Sequence, residues 1–280
     1  MLVDLHIHTY FSDGTFSPEQ VAMEAYKKDL KVISVTDHNN IEAYDRLKKA
    51  CDEYGIIAIR GVEIDCKYED KVIHVLAYDF DDNKELFDLI DESRGYLLHT
   101  SVDLVDKMSE DYECISNEDY EQYEYDRTKG AWKGVHYLLD RGISDSLLGG
   151  LKFYKEYGCD YIEYNFATVE NVCETIKRAN GYAVLAHPSN YFSNLSKEEL
   201  NYVLEDLKYR GIDGIECYYP SNGVELTNTC VEFCKKYDMI ITAGSDGHGE
   251  FTKTIKNIDY YIGAVKANIE SLSLKFLNIK

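Results

Sequence analysis

The sequence predicts an α/β barrel that carries an inserted, mainly helical subdomain. Three observations predict it. Strand-like and helix-like runs alternate over residues 1–95 and again over 165–280, the apolar runs end in clusters of histidine and carboxylate, and the intervening residues 96–164 lose the alternation. Alternation implies a mostly parallel sheet with helices packed against it. About seven strands, each ending in polar residues, favour a closed or nearly closed barrel over a doubly wound sheet, because barrel enzymes place their chemistry at the C-terminal strand ends.

The elements follow in order. Leu2–His8 alternates and ends in histidine, a first strand. Ser17-Pro18-Glu19-Gln20 opens a helix, with Ser17 as N-cap, Pro18 in the first turn and Gln20 completing a capping box. Val32–Thr36 is a second strand, residues 41 to 54 a helix, Ile56–Ile64 a third strand and Val72–Tyr78 a fourth. Residues 84 to 130 are polar and helical in pattern, and the acidic run Glu118–Asp126 reads as a solvated helix face. Alternation then resumes: helix 168–179, strand 182–187, helix 197–209, strand 212–218, helix 225–237, strand 239–244, and a last helix after Ile262.

Hydrophobic residues make up 45% of the 280, enough for a sizeable core. The 51 acidic residues outnumber the 30 basic ones and leave a formal charge of −21. Most of such a surface repels a long nucleic acid, which excludes a general nucleic-acid binder. A small phosphorylated substrate can still bind where metal ions reverse the local potential. The 8 cysteines form no C-x-x-C pair and read as reduced, partly buried thiols. The N-terminus reads straight into a strand rather than a signal peptide, and no apolar run approaches the roughly 18 residues of a membrane span. The expectation is a cytoplasmic protein with no membrane partner.

The candidate chemistry lies at the strand ends. His6 and His8 stand two apart on a strand and share a face, with Asp4 one layer deeper. Asp13 follows in Ser12-Asp13-Gly14, His38 in Thr36-Asp37-His38, and Glu63 in Gly61-Val62-Glu63. His74 lies in the fourth strand, His187 precedes Pro188, and Asp246 and His248 follow the strand 239–244. Six of the 8 histidines thus fall at or near strand ends beside three carboxylates, which scattered structural histidines would not do. Imidazole plus carboxylate suits Mn²⁺, Fe²⁺/³⁺ or Zn²⁺, and nine ligands exceed what one ion can use, so two to three ions sharing bridging ligands are expected. Three divalent ions against three carboxylates leave about +3, or about +1 if Asp4 and Asp37 are ionised, and a phosphate is the natural guest. Between paired metals a bridging hydroxide can attack phosphorus in line, with no protein nucleophile. Asp4 and Asp37 read as residues that orient ligand histidines. His99 and His136 match no motif and read as solvated helix residues, and Trp132 as packing the insertion onto the barrel.

Asp4-Leu-His6-Ile-His8, Ser12-Asp13-Gly14, Thr36-Asp37-His38, Gly61-Val62-Glu63, the strand His74–Tyr78, Ala186-His187-Pro188 and Gly244-Ser245-Asp246-Gly247-His248 together resemble the signature of the PHP (polymerase and histidinol phosphatase) superfamily. The resemblance implies a distorted (β/α)₇ TIM-like barrel with a trinuclear metal site. By position, His6, His8, Glu63 and Asp246 would hold one metal, Glu63, His74 and His187 a second, and Asp13, His38 and His248 a third. It further implies a metal-dependent phosphoesterase of the stand-alone type with an inserted helical subdomain, acting on a small phosphate ester, a phosphomonoester such as a nucleotide. Such members include nucleoside-phosphate phosphatases and a 5′–3′ exonuclease on short RNA. The substrate side departs from the pattern. Ala131-Trp132-Lys133 stands where those relatives carry Arg-Pro-His, and Tyr218-Tyr219 runs into Pro220-Ser221-Asn222 rather than His-Thr/Ser-Pro. Lys133 and Asn222 are the candidate substrate contacts in those stretches. Two other functions compete: an exonuclease on short oligonucleotides, disfavoured by the charge of −21, and a silent metal-binding module, disfavoured because none of the nine ligands is lost.

Overall fold

The computed structural model describes residues 1–251 and 261–277. Strands β1 (Leu2–Asp4), β2 (Leu30–Val35), β3 (Ile57–Tyr68), β4 (Lys71–Tyr78), β5 (Tyr182–Leu185), β6 (Gly214–Tyr218) and β7 (Ile240–Ala243) lie side by side in chain order, with β8 (Ala267–Asn268) beyond β1. The sheet curls until β1 meets β7: the Leu5 amide donates to the Ala243 carbonyl at 2.9 Å, and Ile7 pairs with Gly247. The result is a nearly closed barrel ringed by helices. Its lower interior is filled by Val32, Ile59, Leu76, Tyr78, Val184 and Ile240, with Phe276 closing the bottom. Above this apolar plug the inward positions turn polar.

The expected parallel arrangement fails at one strand. β4 runs antiparallel to both β3 and β5. Only Glu69 and Asp70 separate β3 from β4, too short a link for a parallel crossover, and Glu69 adopts a left-handed φ of 54° to make the turn. Because β4 descends, its beginning, where His74 lies, is at the polar end of the barrel.

Helix α1 (Pro18–Lys27) starts with the expected capping box between Ser17 and Gln20. It and α2 (Tyr44–Tyr54) cover β1 and β2 through a core of Ile7, Val21, Ile33 and Leu47. Between β4 and β5 come α3 (Lys84–Met108), α4 (Asn117–Gln122), α5 (Lys133–Asp140), α6 (Leu147–Glu156) and α7 (Val169–Arg178). Leu86 and Ile90 of α3 join the barrel's outer core, while Leu104, Val105 and Met108 of the same helix join a separate cluster with Tyr120, Tyr137 and Phe153. α3 therefore runs unbroken through residue 96 and ties the helical segment to the barrel. Helices α8 (Ser189–Phe192), α9 (Lys197–Tyr209) and α10 (Val224–Tyr237) complete the ring. The helix expected after Ile262 does not form among the described residues. There the chain makes β8 and a 3₁₀ turn, and Leu272, Leu274 and Phe276 pack under the barrel at a spacing of two, a strand-like period rather than a helical one.

Candidate metal centre

Glu63 is the centre of the polar layer. Its carboxylate is 0% exposed, and Oε1 lies 2.8 Å from both His74 Nδ1 and His187 Nε2. Oε2 lies 3.2 Å from the Nε2 atoms of His6 and His8 and 3.3 Å from His38 Nδ1. Asp246 Oδ1 stands 3.1 Å from His8 Nε2 and 3.5 Å from His6 Nε2, and Asp13 Oδ2 stands 3.3 Å from His248 Nε2. All nine ligand candidates are thus brought to one place. Their donor atoms fall into three interlocking sets, each with every atom within 4.8 Å of the others: His6, His8, Glu63 and Asp246; Glu63, His74 and His187; and His8, Asp13, His38 and His248. A fourth set joins His38 and His74 to Asp65.

The geometry fits cations. Glu63 Oε2 and His187 Nδ1 are buried without a hydrogen-bond partner among the described residues. His6 Nε2 and His8 Nε2 face each other at 3.1 Å. Lone pairs that converge this closely, on nitrogen and oxygen together, form a donor set that could hold metal ions.

Electrostatics agree. Burial alone would lower the His6 and His74 pKa values, yet both are raised well above the ordinary range, His6 by Glu216, Glu63 and Asp246 and His74 by Glu63 and Asp65. For His8, burial is likewise outweighed by Asp246 and Glu63, which push it to about 10. Burial would raise Glu63 and Asp246, but the imidazoles hold both well below the carboxylate range. His38 is different: burial dominates and brings it down to about 4. The carboxylates thus favour positive charge among the donors that face them.

Strained backbone and buried carboxylates aim these side chains. His187 and Asp246 adopt left-handed φ values of 25° and 52°, a cost the surroundings must offset. Glu216, on β6 and 0% exposed, does much of this: Oε1 lies 3.0 Å from His6 Nδ1, and Oε2 accepts the His187 amide at 2.8 Å. Gly244 makes room, since a Cβ there would stand 2.2 Å from that of His6 and 2.3 Å from Glu216 Oε1. Asp4 and Asp37 reach the ligand histidines through backbone and hydroxyl groups: Asp4 accepts the His6 amide at 3.4 Å, and Asp37 accepts from the Ser12 hydroxyl, which lies 3.4 Å from His8 Nδ1. Asp4 accepts the amides of Ser245 and Gly263 at 2.9 and 2.7 Å, and Asp37 accepts from the Thr9 amide and from the hydroxyls of Thr9 and Ser12. Burial raises each to about 6.

Beside the cluster opens a cavity of about 720 Å³, walled on one side by His38, Asp65 and His74 and on the other by the helical segment. Trp132, Tyr125, Tyr154 and Tyr161 supply aromatic wall, and Arg94, Arg127, Lys133 and Lys155 supply cations. The Trp132 ring centroid is 5.9 Å from that of His38. The loop carrying Trp132 is pinned to the metal-site loop, for the Ala131 amide donates to the Asp13 carbonyl at 2.8 Å. His136, expected in solvent, is buried: its Nε2 meets the Gly130 carbonyl at 2.7 Å and its ring stacks on Tyr125. His99 is exposed on α3 as expected. Lys133 lines the cavity, but its Nζ rests 4.5 Å over the Tyr120 ring and 3.4 Å from the Glu121 carbonyl. Asn222 lies outside the cavity lining. Its amide nitrogen donates to the carbonyls of Glu216 and Cys217, and its oxygen accepts the Ser189 amide. Sequence reasoning missed Glu216 and Asp65. Both had a visible signal, a carboxylate in an apolar strand, and Asp65 also stands two residues from Glu63 on one face.

A family model for the PHP domain matches residues 4–166. The 5′–3′ exoribonuclease of Haemophilus influenzae is 28% identical over 254 residues, covering 88% of this chain and 89% of that one. The 3′,5′-nucleoside bisphosphate phosphatase of Chromobacterium violaceum is 22% identical over 262 residues, with 88% and 87% covered. A solved structure from Bifidobacterium adolescentis superposes with a TM-score of 0.71 at 24% identity, covering 96% of both chains. The barrel shares its fold with that structure, and its nine-residue cluster offers the donors of a metal site. The chain belongs to the PHP domain family. No helix among the described residues is long and apolar enough to cross a membrane.

Proposed function

We propose that the chain hydrolyses a small phosphate ester, a phosphomonoester whose organic part carries an aromatic ring, such as a nucleotide. The observation that carries this reading is one fully buried carboxylate, Glu63, facing five imidazoles at the edge of an aromatic and cationic cavity. The three donor sets would hold three divalent ions, Mn²⁺, Fe or Zn²⁺, with Glu63 shared by two of them. Such ions supply Lewis acidity, polarising a phosphoryl oxygen and acidifying a water.

The chain's own residues do the rest. Glu63 and Asp246 gather the imidazoles, and Glu216 holds the His6 ring and the His187 backbone in place. Trp132, beside His38, forms a face on which a ring can stack. The cavity volume of about 720 Å³ suits a single small ligand. Asp4, Asp37, Asp65 and Glu216 join the three ligand carboxylates, so seven acids meet the six charges of three divalent ions. The net charge is therefore near zero rather than positive. The phosphate is held by the ions individually and by the cationic wall.

Likeness to an exoribonuclease along 88% of the chain supports a second reading, removal of the 5′-terminal nucleotide from a short oligoribonucleotide. The experiment is phosphate and nucleotide release after metal repletion, on a panel of phosphomonoesters and a 5′-phosphorylated oligomer of several residues. Phosphate from monoesters supports the first reading. Mononucleotides from the oligomer alone support the second, and no release from either refutes both.

A further inference from the structure

Asp65 is a buried carboxylate next to the cluster with no place among the nine expected ligands. It follows Glu63 by two residues on β3, so both face the barrel interior, and its ladder partner across the strands is His74. Asp65 Oδ1 lies 3.0 Å from His74 Nε2. Its other oxygen accepts from Asn39 Nδ2. Asn39 returns the contact, its Oδ1 accepting the Asp65 amide at 3.2 Å, and the Asn39 amide donates to the Glu63 carbonyl at 2.8 Å. Asn39 follows His38 directly and holds a left-handed φ of 46°, a conformation asparagine tolerates. One side-chain pair thus links the turn bearing His38, the strand bearing Glu63 and the ring of His74.

A neutral imidazole carries one N–H, and the hydrogen bond at one nitrogen decides which nitrogen keeps a lone pair. Both ring nitrogens of His74 face carboxylates, but an ion held with Glu63 would take the Nδ1 lone pair and leave the single N–H to Nε2, 3.0 Å from Asp65. Nδ1, 2.8 Å from Glu63, is the nitrogen that would turn to that ion. We propose that Asp65, clamped by Asn39, is a positioning residue that fixes His74 as the Nε2–H tautomer and aims Nδ1 at the ion it would share with Glu63 and His187. This role rests on the reading that those three residues hold an ion. Direct ligation by Asp65, grouped with His38 and His74 nitrogens, is the rival, and Asn39 already donates to one of its two oxygens.

The test uses the full chain stripped with chelator and titrated with Zn²⁺. Ions per chain at saturation come from elemental analysis, and stepwise affinities from calorimetry. Asp65→Ala should keep the saturating number of ions and weaken one step by roughly 10–100-fold. Asp65→Asn, which keeps an acceptor, should weaken it less. Asn39→Gly keeps the left-handed turn, removes the clamp and should weaken the same step, with little further loss when combined with Asp65→Ala. In ¹⁵N-histidine spectra of the Zn²⁺-loaded protein, the His74 Nε2–H signal should be present in wild type and lost in Asp65→Ala. An ion missing at saturation makes Asp65 a ligand, and unchanged stepwise affinities make it idle. Either result overturns the proposal. A wild-type chain that takes up no ion refutes the underlying metal reading instead. Should Asp65→Ala fail to fold, as melting of the chelated protein would reveal, Asn39→Gly carries the test alone.

Discussion

Replacing Glu63 by glutamine removes one negative charge from a fully buried position and changes little else in shape. The carboxylate lies within 3.3 Å of nitrogens from His6, His8, His38, His74 and His187. Removing one partner of a buried charge pair costs about 3–5 kcal/mol. For a chain of this length each kcal/mol moves the melting temperature by roughly 2 °C, so a fall of roughly 6–10 °C is expected for the metal-free protein at pH 6. The sign of the pH dependence follows from the raised histidines. His6, His8 and His74 each owe part of their elevation to Glu63, and a raised group stabilises fully below its unfolded value of about 6.5. That stabilisation is lost as pH climbs through the folded values, about 10 for His8. The wild type therefore has more to lose on going to pH 9 than Glu63→Gln has, and the gap between them should narrow. Scanning calorimetry in chelator at pH 6 and pH 9 measures both differences. Equal gaps at the two pH values, or no gap at pH 6, would refute the assignment of Glu63 as the charge that organises the histidines. With metal restored, the variant should also bind fewer ions per chain than wild type and turn over orders of magnitude more slowly.

Metal uptake should strengthen with pH, because ions must displace protons that the carboxylates hold on His6, His8, His74 and His248. Apparent affinity should rise about tenfold per pH unit for each proton displaced, and calorimetric titrations from pH 6 to 9 that show a flat affinity would contradict it. Glu216→Gln keeps the shape but loses the charge 3.0 Å from His6 Nδ1, and should weaken binding of one ion by roughly 10–100-fold, read by metal titration. Trp132→Ala should raise KM by roughly 5–30-fold, about 1–2 kcal/mol of lost stacking, with kcat nearly unchanged. A fall in kcat with constant KM would assign the ring to holding the metal site.

The barrel was legible because strand and helix periods differ, and because histidines and carboxylates recur where apolar runs stop. Its exceptions have local causes. The two-residue link Glu69-Asp70 forces β4 antiparallel, a constraint visible in the sequence but outweighed there by the general alternation. A helix was expected after Ile262, yet Leu272, Leu274 and Phe276 fall at a spacing of two and fill the barrel floor. His136 looked solvated because its partners, Gly130 and Tyr125, come together only when the loop before α5 folds back on Asp13.

The site shows where sequence reading and physics part. Histidines drew attention as ligands, and the nine candidates do converge. Asp4 and Asp37 were named as the residues that orient them and reach them through backbone and hydroxyl groups, whereas Glu216 and Asp65, which face imidazole rings directly, were not named. A stricter rule would have found them. Burying a carboxylate in an apolar strand is costly unless donors or cations meet it. β3 carries two such groups, Glu63 and Asp65, and β6 carries Glu216, each flanked by apolar residues and each fully or almost fully buried. Every one of them must therefore face positive charge or N–H groups. In a barrel whose interior already holds six histidines, those partners are the imidazoles. Glu216 meets His6 and the His187 amide, Asp65 meets His74 and Asn39, and Glu63 meets five rings at once. The carboxylates in the strands specify the centre as much as the histidines at their ends do.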